Sequence, residues 1–112
     1  MNDNTYNGWT NYETWNCKLW IDNDGSLEYW EEQAMLNAQA AMDQYPDEGK
    51  ERATGWLANE LNTHFIENSP EVTGFYADIL SAALREVNWH EIARSIIDDL
   101  DIEWDSETEN QE

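Results

Sequence analysis

Two histidines, one cysteine and 25 carboxylates are the side chains of this sequence with acid, base, nucleophile or ligand chemistry to offer. His90-Glu91 matches the first two residues of the zinc-protease helix motif, in which a second imidazole one turn later completes the metal face. That later position is Arg94, so a zinc site of this type is excluded. His64 falls on or beside an apolar helical stripe, which fits a hydrogen-bonded structural histidine. Cys17 has no base near it in sequence and reads as a small half-buried residue and not as a reactive thiol. From Trp20 to Glu31 the acids Asp22, Asp24, Glu28 and Glu31 and the glycine Gly25 fall at calcium-loop positions, but the first ligand position is Trp20, and an indole cannot bind a hard cation. A helix stop, a turn and an acidic first turn account for the same residues. With no phosphate-binding glycine loop, no serine elbow and no lysine placed for a Schiff base, the expectation is a protein that is not an enzyme and uses no metal or cofactor.

The carboxylates themselves are the strongest signal. Against five Lys plus Arg they leave a formal net charge of -20 on 112 residues. So few bases cannot neutralise phosphates, which argues against direct binding to nucleic acid or to an anionic membrane surface, and favours a basic partner. The chain is not a disordered acidic polymer, because hydrophobic types make up 40% and include seven Trp, five Tyr and two Phe. The length suits one domain with one core. One cysteine allows no internal disulfide, the start of the chain lacks a basic and then apolar leader, and no run is apolar enough to span a bilayer. The expected setting is cytoplasmic.

These residues must be carried by helices. Thr10 and Glu13 have capping-box spacing and predict a first helix over 11–22, with Tyr12, Trp15, Leu19 and either Cys17 or Trp20 facing inward. Ser26 opens a second over 27–44, with Trp30, Ala34, Ala38, Ala41 and Tyr45 at helical spacing. After the break at Pro46 to Gly49, the positions Ala53, Trp56, Leu57, Leu61 and Phe65 predict a third, weakened by Gly55. Ser69-Pro70 reads as the cap and first turn of a fourth, whose apolar positions Val72, Phe75, Tyr76, Ile79, Leu80, Ala83, Leu84 and Val87 form the cleanest stripe in the sequence. Asn88 and Glu91 open a fifth, with Trp89, Ile92, Ala93, Ile96, Ile97 and Leu100 inward. No segment alternates as a strand. The expected fold is all-α, a compact bundle of four or five short helices: a polar segment 1–10, an acidic helical domain 11–100 and an acidic tail 101–112.

On this frame the acids form ladders. Acids four apart on a helix stand ~6 Å apart along one face, as do Glu28 and Glu32 beside Glu31, and Asp43, Asp47 and Glu51 beside Glu48. Residues 98–112 hold eight acids and no base, leaving -12 on the rest of the chain. Every odd position from Asp99 through Asp101, Glu103, Asp105 and Glu107 to Glu109 is acidic, next to Asp98. A helix or an extended strand would both set these carboxylates in a row, at intervals of ~6 Å or ~6.6 Å, a spacing near that of successive phosphates.

The stretch Asn7-Gly8-Trp9-Thr10-Asn11-Tyr12-Glu13-Thr14-Trp15-Asn16, continuing through Leu19-Trp20-Ile21-Asp22-Asn23, resembles the opening signature of a family of small, largely uncharacterised proteins carried by phages, plasmids and some prokaryotic genomes. The resemblance implies a mobile-element setting and assigns no catalytic role. Read from its residues, the segment is a helix cap followed by an aromatic face. Charge, size and that setting are analogous to acidic DNA-mimic inhibitors of the anti-restriction or anti-CRISPR type. The leading expectation is therefore an inhibitor that occupies the positively charged nucleic-acid-binding site of a host protein, either alone or as a homodimer. Two alternatives are an acidic halophile-type protein and an adaptor that binds through exposed Trp9, Trp20 or Trp104.

Overall fold

Helix α1, Tyr12–Asn23, is capped by Asn11, not Thr10: the Asn11 Oδ1 accepts the Thr14 backbone N–H at 2.9 Å and the Thr14 hydroxyl at 2.6 Å. A computed structural model supplies these coordinates and describes residues 5–104. Four further α-helices follow, α2 Leu27–Gln44, α3 Gly49–Glu67, α4 Gly74–Glu86 and α5 Trp89–Asp98, with a 3₁₀ turn at Pro46–Glu48 between α2 and α3. The fold is an all-α bundle, as the hydrophobic periodicity implies.

The core lies among α2, α3 and α5. Trp30, Ala34, Ala38 and Ala41 of α2 face Ala53, Leu57 and Leu61 of α3 and Ile92, Ala93, Ile96 and Ile97 of α5, with Ile21 of α1 closing one side. The alanines let α2 approach α3 closely, and Phe65 stacks on Trp89 with ring centroids 5.4 Å apart. Tyr45, expected inward, is an exposed residue at the end of α2 whose ring lies under the Arg52 guanidinium, 4.1 Å from its centroid.

Two expectations fail for physical reasons. On α1 the buried positions are Thr14, Lys18 and Ile21, while Tyr12, Leu19 and Trp20 point to solvent. Lys18 can occupy an inner position because its aliphatic stem is covered while its ammonium reaches Asp22 Oδ1 at 2.7 Å. On α4 no residue is fully buried, although it carries the clearest stripe. The residues 70–73 are not helical, so Ser69-Pro70 does not start α4; Thr73 precedes its first turn without a side-chain cap. Ser69 instead finishes the α3 terminus, its hydroxyl donating to the Ile66 carbonyl at 2.9 Å.

Candidate functional site: an acidic surface

Trp104 organises the acidic end of the molecule. It is 5% exposed and packs on Gly49, where an added Cβ would sit 3.3 Å from the indole and 3.1 Å from Met42 Cγ. Glycine at the first position of α3 is what gives the ring its place. Residues 101–104 consequently lie against the body, and Trp104 is not the exposed adaptor residue its sequence position suggested. Lys50, the next residue, meets Asp98 Oδ1 at 3.0 Å. Through these two contacts the last turn of α5 and the segment after it are drawn to the corner where α2 ends and α3 begins, which carries Asp43, Asp47, Glu48 and Glu51.

The carboxylates at that corner face water. Asp43, Asp47, Glu48, Glu51, Asp98, Asp99, Asp101 and Glu103 are all exposed. Only Glu48, held by Arg52 at 2.8 Å, and Asp98, held by Lys50, meet a base among the described residues. Glu28 and Glu32 are exposed at the other end of α2, with Glu31 half-buried beside them. The two groups are not one cluster: fifteen residues from Glu28 to Asp43 span ~22 Å of helix. They share one stripe of α2, which runs from Glu28 and Glu32 through exposed Met35, Leu36 and Gln39 to Asp43. An apolar centre flanked by acids was not anticipated, although the spacing of Met35 and Leu36 relative to Glu32 and Gln39 carried the signal. Asp105, Glu107 and Glu109 lie outside the described residues.

The bases are largely spent inside the molecule. Lys18, Lys50 and Arg52 are taken by Asp22, Asp98 and Glu48. Arg94 lines an open cleft of about 570 Å³ between the signature segment and α5, together with Trp9, His90, Glu91 and Asp99. Glu91 Oε1 in that cleft is engaged by the Thr10 backbone N–H at 3.1 Å. His64 is exposed and packs edge-on to Trp30 and Phe65. Burial, helped by the charge of Asp24, pushes the Cys17 thiol up to about 12, so it is no nucleophile at neutral pH. Asp24 is held below the ordinary carboxylate range, chiefly by hydrogen bonds from the Ser26 side chain and from its backbone N–H, the latter 2.9 Å from Oδ1. The calcium-loop residues thus form the α1–α2 turn, with Gly25 at φ +90°. No three His, Cys, Asp or Glu side chains converge as a metal site among the described residues.

The signature residues build a staple. Tyr6 and Trp9 exchange backbone hydrogen bonds of 2.8 Å each across Asn7-Gly8, both at positive φ, 48° and 88°. This is the two-residue Asn-Gly turn, a signal legible in the sequence and overlooked there. Asn11 Nδ2 donates to the Glu86 carbonyl at 2.7 Å and the Asn88 N–H donates to Thr14 Oγ1 at 2.8 Å. The signature thereby ties the chain's beginning to the α4–α5 junction.

Fold and surface together define a small helical protein whose conspicuous chemical feature is an unneutralised carboxylate face. The chain belongs to the DUF7249 family, a family of unknown function whose profile matches residues 2–109. No curated protein and no solved structure matches it.

Proposed function

We propose that the protein is a nucleic-acid mimic that inhibits a basic DNA- or RNA-binding protein by filling its positive groove, in the manner of anti-restriction or anti-CRISPR inhibitors of mobile elements. The observation that carries the reading is the disposition of charge: the α2–α3 corner holds Asp43, Asp47, Glu51, Asp99, Asp101 and Glu103 exposed and in no ion pair among the described residues, with Arg94 as the base that lines clefts beside Glu51 and Asp99. So many exposed carboxylates cost the fold self-repulsion, and solubility alone requires far less charge. A positive groove supplies the compensation. Long-range attraction accelerates the encounter, and Met35 and Leu36 between the acids supply desolvated contact at short range.

The test uses the full chain immobilised in host extract at low salt and eluted with a salt gradient. A captured nucleic-acid-binding protein that elutes at high salt, and is displaced by duplex DNA, is the expected result. Asp43→Asn combined with Asp47→Asn and Glu51→Gln should shift elution to lower salt. If the captured protein binds duplex DNA normally while saturated with this chain, mimicry is wrong. If the chain unfolds without molar salt, the halophile alternative takes its place.

A further inference from the structure

Between the C-terminal end of α3 and the second half of α4 lies an open groove of about 430 Å³. Its apolar walls are Ile66 of α3, Leu80 and Leu84 of α4, and Val87 and Trp89 at the α4–α5 junction. Val87 and Trp89 pack on the core, whereas Leu80 and Leu84 are half-buried without joining it. Three polar side chains complete the lining: Asn62 from α3, and Ser81 and Arg85 one turn apart on α4. None of the three spends its side chain in a hydrogen bond or an ion pair among the described residues. Ser69, also in the lining, has its hydroxyl on the Ile66 carbonyl.

In a chain of net charge -20, this groove is lined by a base and by no carboxylate. The cleft beside Trp9 sets Glu91, Asp98 and Asp99 around Arg94, the cleft at Lys50 includes Glu51, and that at His64 includes Glu60 and Glu67. The acids of α4, Asp78 and Glu86, are exposed and stand outside the groove, as does Glu71 in the segment before α4. Asp78 is two turns before Arg85, ~10 Å along the axis, and Glu86 projects ~100° round the helix from it.

We propose that the groove binds an aliphatic monocarboxylate of medium chain length, with its head on the Arg85 guanidinium and its chain along Leu80, Leu84, Ile66 and Trp89. A planar guanidinium matches a carboxylate with two parallel N–H donors, and the Ser81 hydroxyl and Asn62 amide offer more. An apolar cleft of this volume with a few placed polar groups is the usual form of a small-molecule site. The extended end of a protein fits less well. The backbones of α3 and α4 are bonded within their own helices, so a peptide's N–H groups would be left unpaired, and an alkyl chain has none. The groove lies at the opposite end of α3 from the acidic corner, and the inference does not depend on the nucleic-acid-mimic reading.

Calorimetric titration of the full chain with sodium decanoate tests the site. The expected result is saturable one-to-one binding with a Kd of about 1 mM or tighter. Octanoate should bind about 10-fold more weakly, because two methylenes are lost from the apolar wall, and acetate should not bind. The indole N–H resonance of Trp89, assigned with Trp89→Phe, should shift on titration. Arg85→Gln should weaken decanoate binding about 10-fold or more. Arg94→Gln, which changes the net charge equally, should leave it unchanged. Ser81→Glu gives Arg85 a carboxylate one turn away, a pairing that supports the helix. It should abolish binding where Ser81→Gln does not. The absence of saturable binding overturns the proposal. So does binding that ignores chain length, survives both Arg85→Gln and Ser81→Glu, or is lost with Arg94→Gln. A peptide with a free leucine C-terminus that binds where decanoate does not overturns it as well.

Discussion

Thr14 carries more of the architecture than its size suggests. It is fully buried, and its hydroxyl donates to Asn11 Oδ1 while accepting the Asn88 N–H, so one oxygen joins the α1 cap to the start of α5. Thr14→Val keeps the shape but leaves the Asn88 N–H without its partner and deprives the cap of one bond. The expected cost is about 1–3 kcal/mol, read from the urea midpoint, with α1 helicity falling less than the transition shifts. Cys17 provides a second test at this scale. Its thiol is raised from 9.0 to about 12 in the folded chain. At pH 8 the native protein should react with a thiol reagent roughly 1,000-fold more slowly than the urea-unfolded chain. The linkage has a definite sign. Below pH 9 both states hold the proton and the contribution is fully present. As pH rises from 9 toward 12 the unfolded thiol ionises first, so folding stability should fall across that window.

At the scale of elements, α1 and α4 mark where sequence and structure part. The apolar residues of α2, α3 and α5 recur on the face that meets a neighbouring helix, so periodicity located the core through Trp30, Ala34, Leu57, Leu61, Ile92 and Ile96. On α1 the same logic chose Tyr12, Trp15 and Leu19, yet the helix turns Thr14, Lys18 and Ile21 inward. The Asn11 cap, the Asn88 bond and the Lys18–Asp22 pair satisfy the polar atoms that should have resisted burial. Hydropathy weighs side chains singly and cannot register such partners. For α4 the pattern marks an apolar face without naming what covers it. Of the acidic site, the ladders on α2 and around Asp47 were legible, whereas the role of Trp104 was not, because it depends on the missing side chain at Gly49 some fifty residues earlier. Removing residues 101–112 would therefore remove a structural anchor together with the charge. Trp104→Ala should destabilise the fold by about 3 kcal/mol or more, measured by thermal unfolding. Deleting 105–112 keeps the anchor and should leave the unfolding transition near that of the full chain, lowering target affinity without abolishing it.

For the whole molecule, salt separates the forces that act on it. A net charge of -20 raises the free energy of the folded state through self-repulsion, and the exposed acids at the α2–α3 corner concentrate it. Added NaCl screens these charges over a Debye length that shrinks from ~30 Å at 0.01 M to ~10 Å at 0.1 M. Two consequences follow from one cause, with opposite signs. Thermal stability should rise between low and moderate salt, since repulsion falls while the buried core among α2, α3 and α5 is left in place. Capture of a basic target should weaken over the same range, because the attraction that drives it is screened too. A thermal-shift series and a binding series on one preparation would compare the two. Binding that grew stronger with salt would move the target site from the carboxylates to the aromatic face, and Trp20→Ala, at a ring 61% exposed, would then weaken it where Asp43→Asn did not.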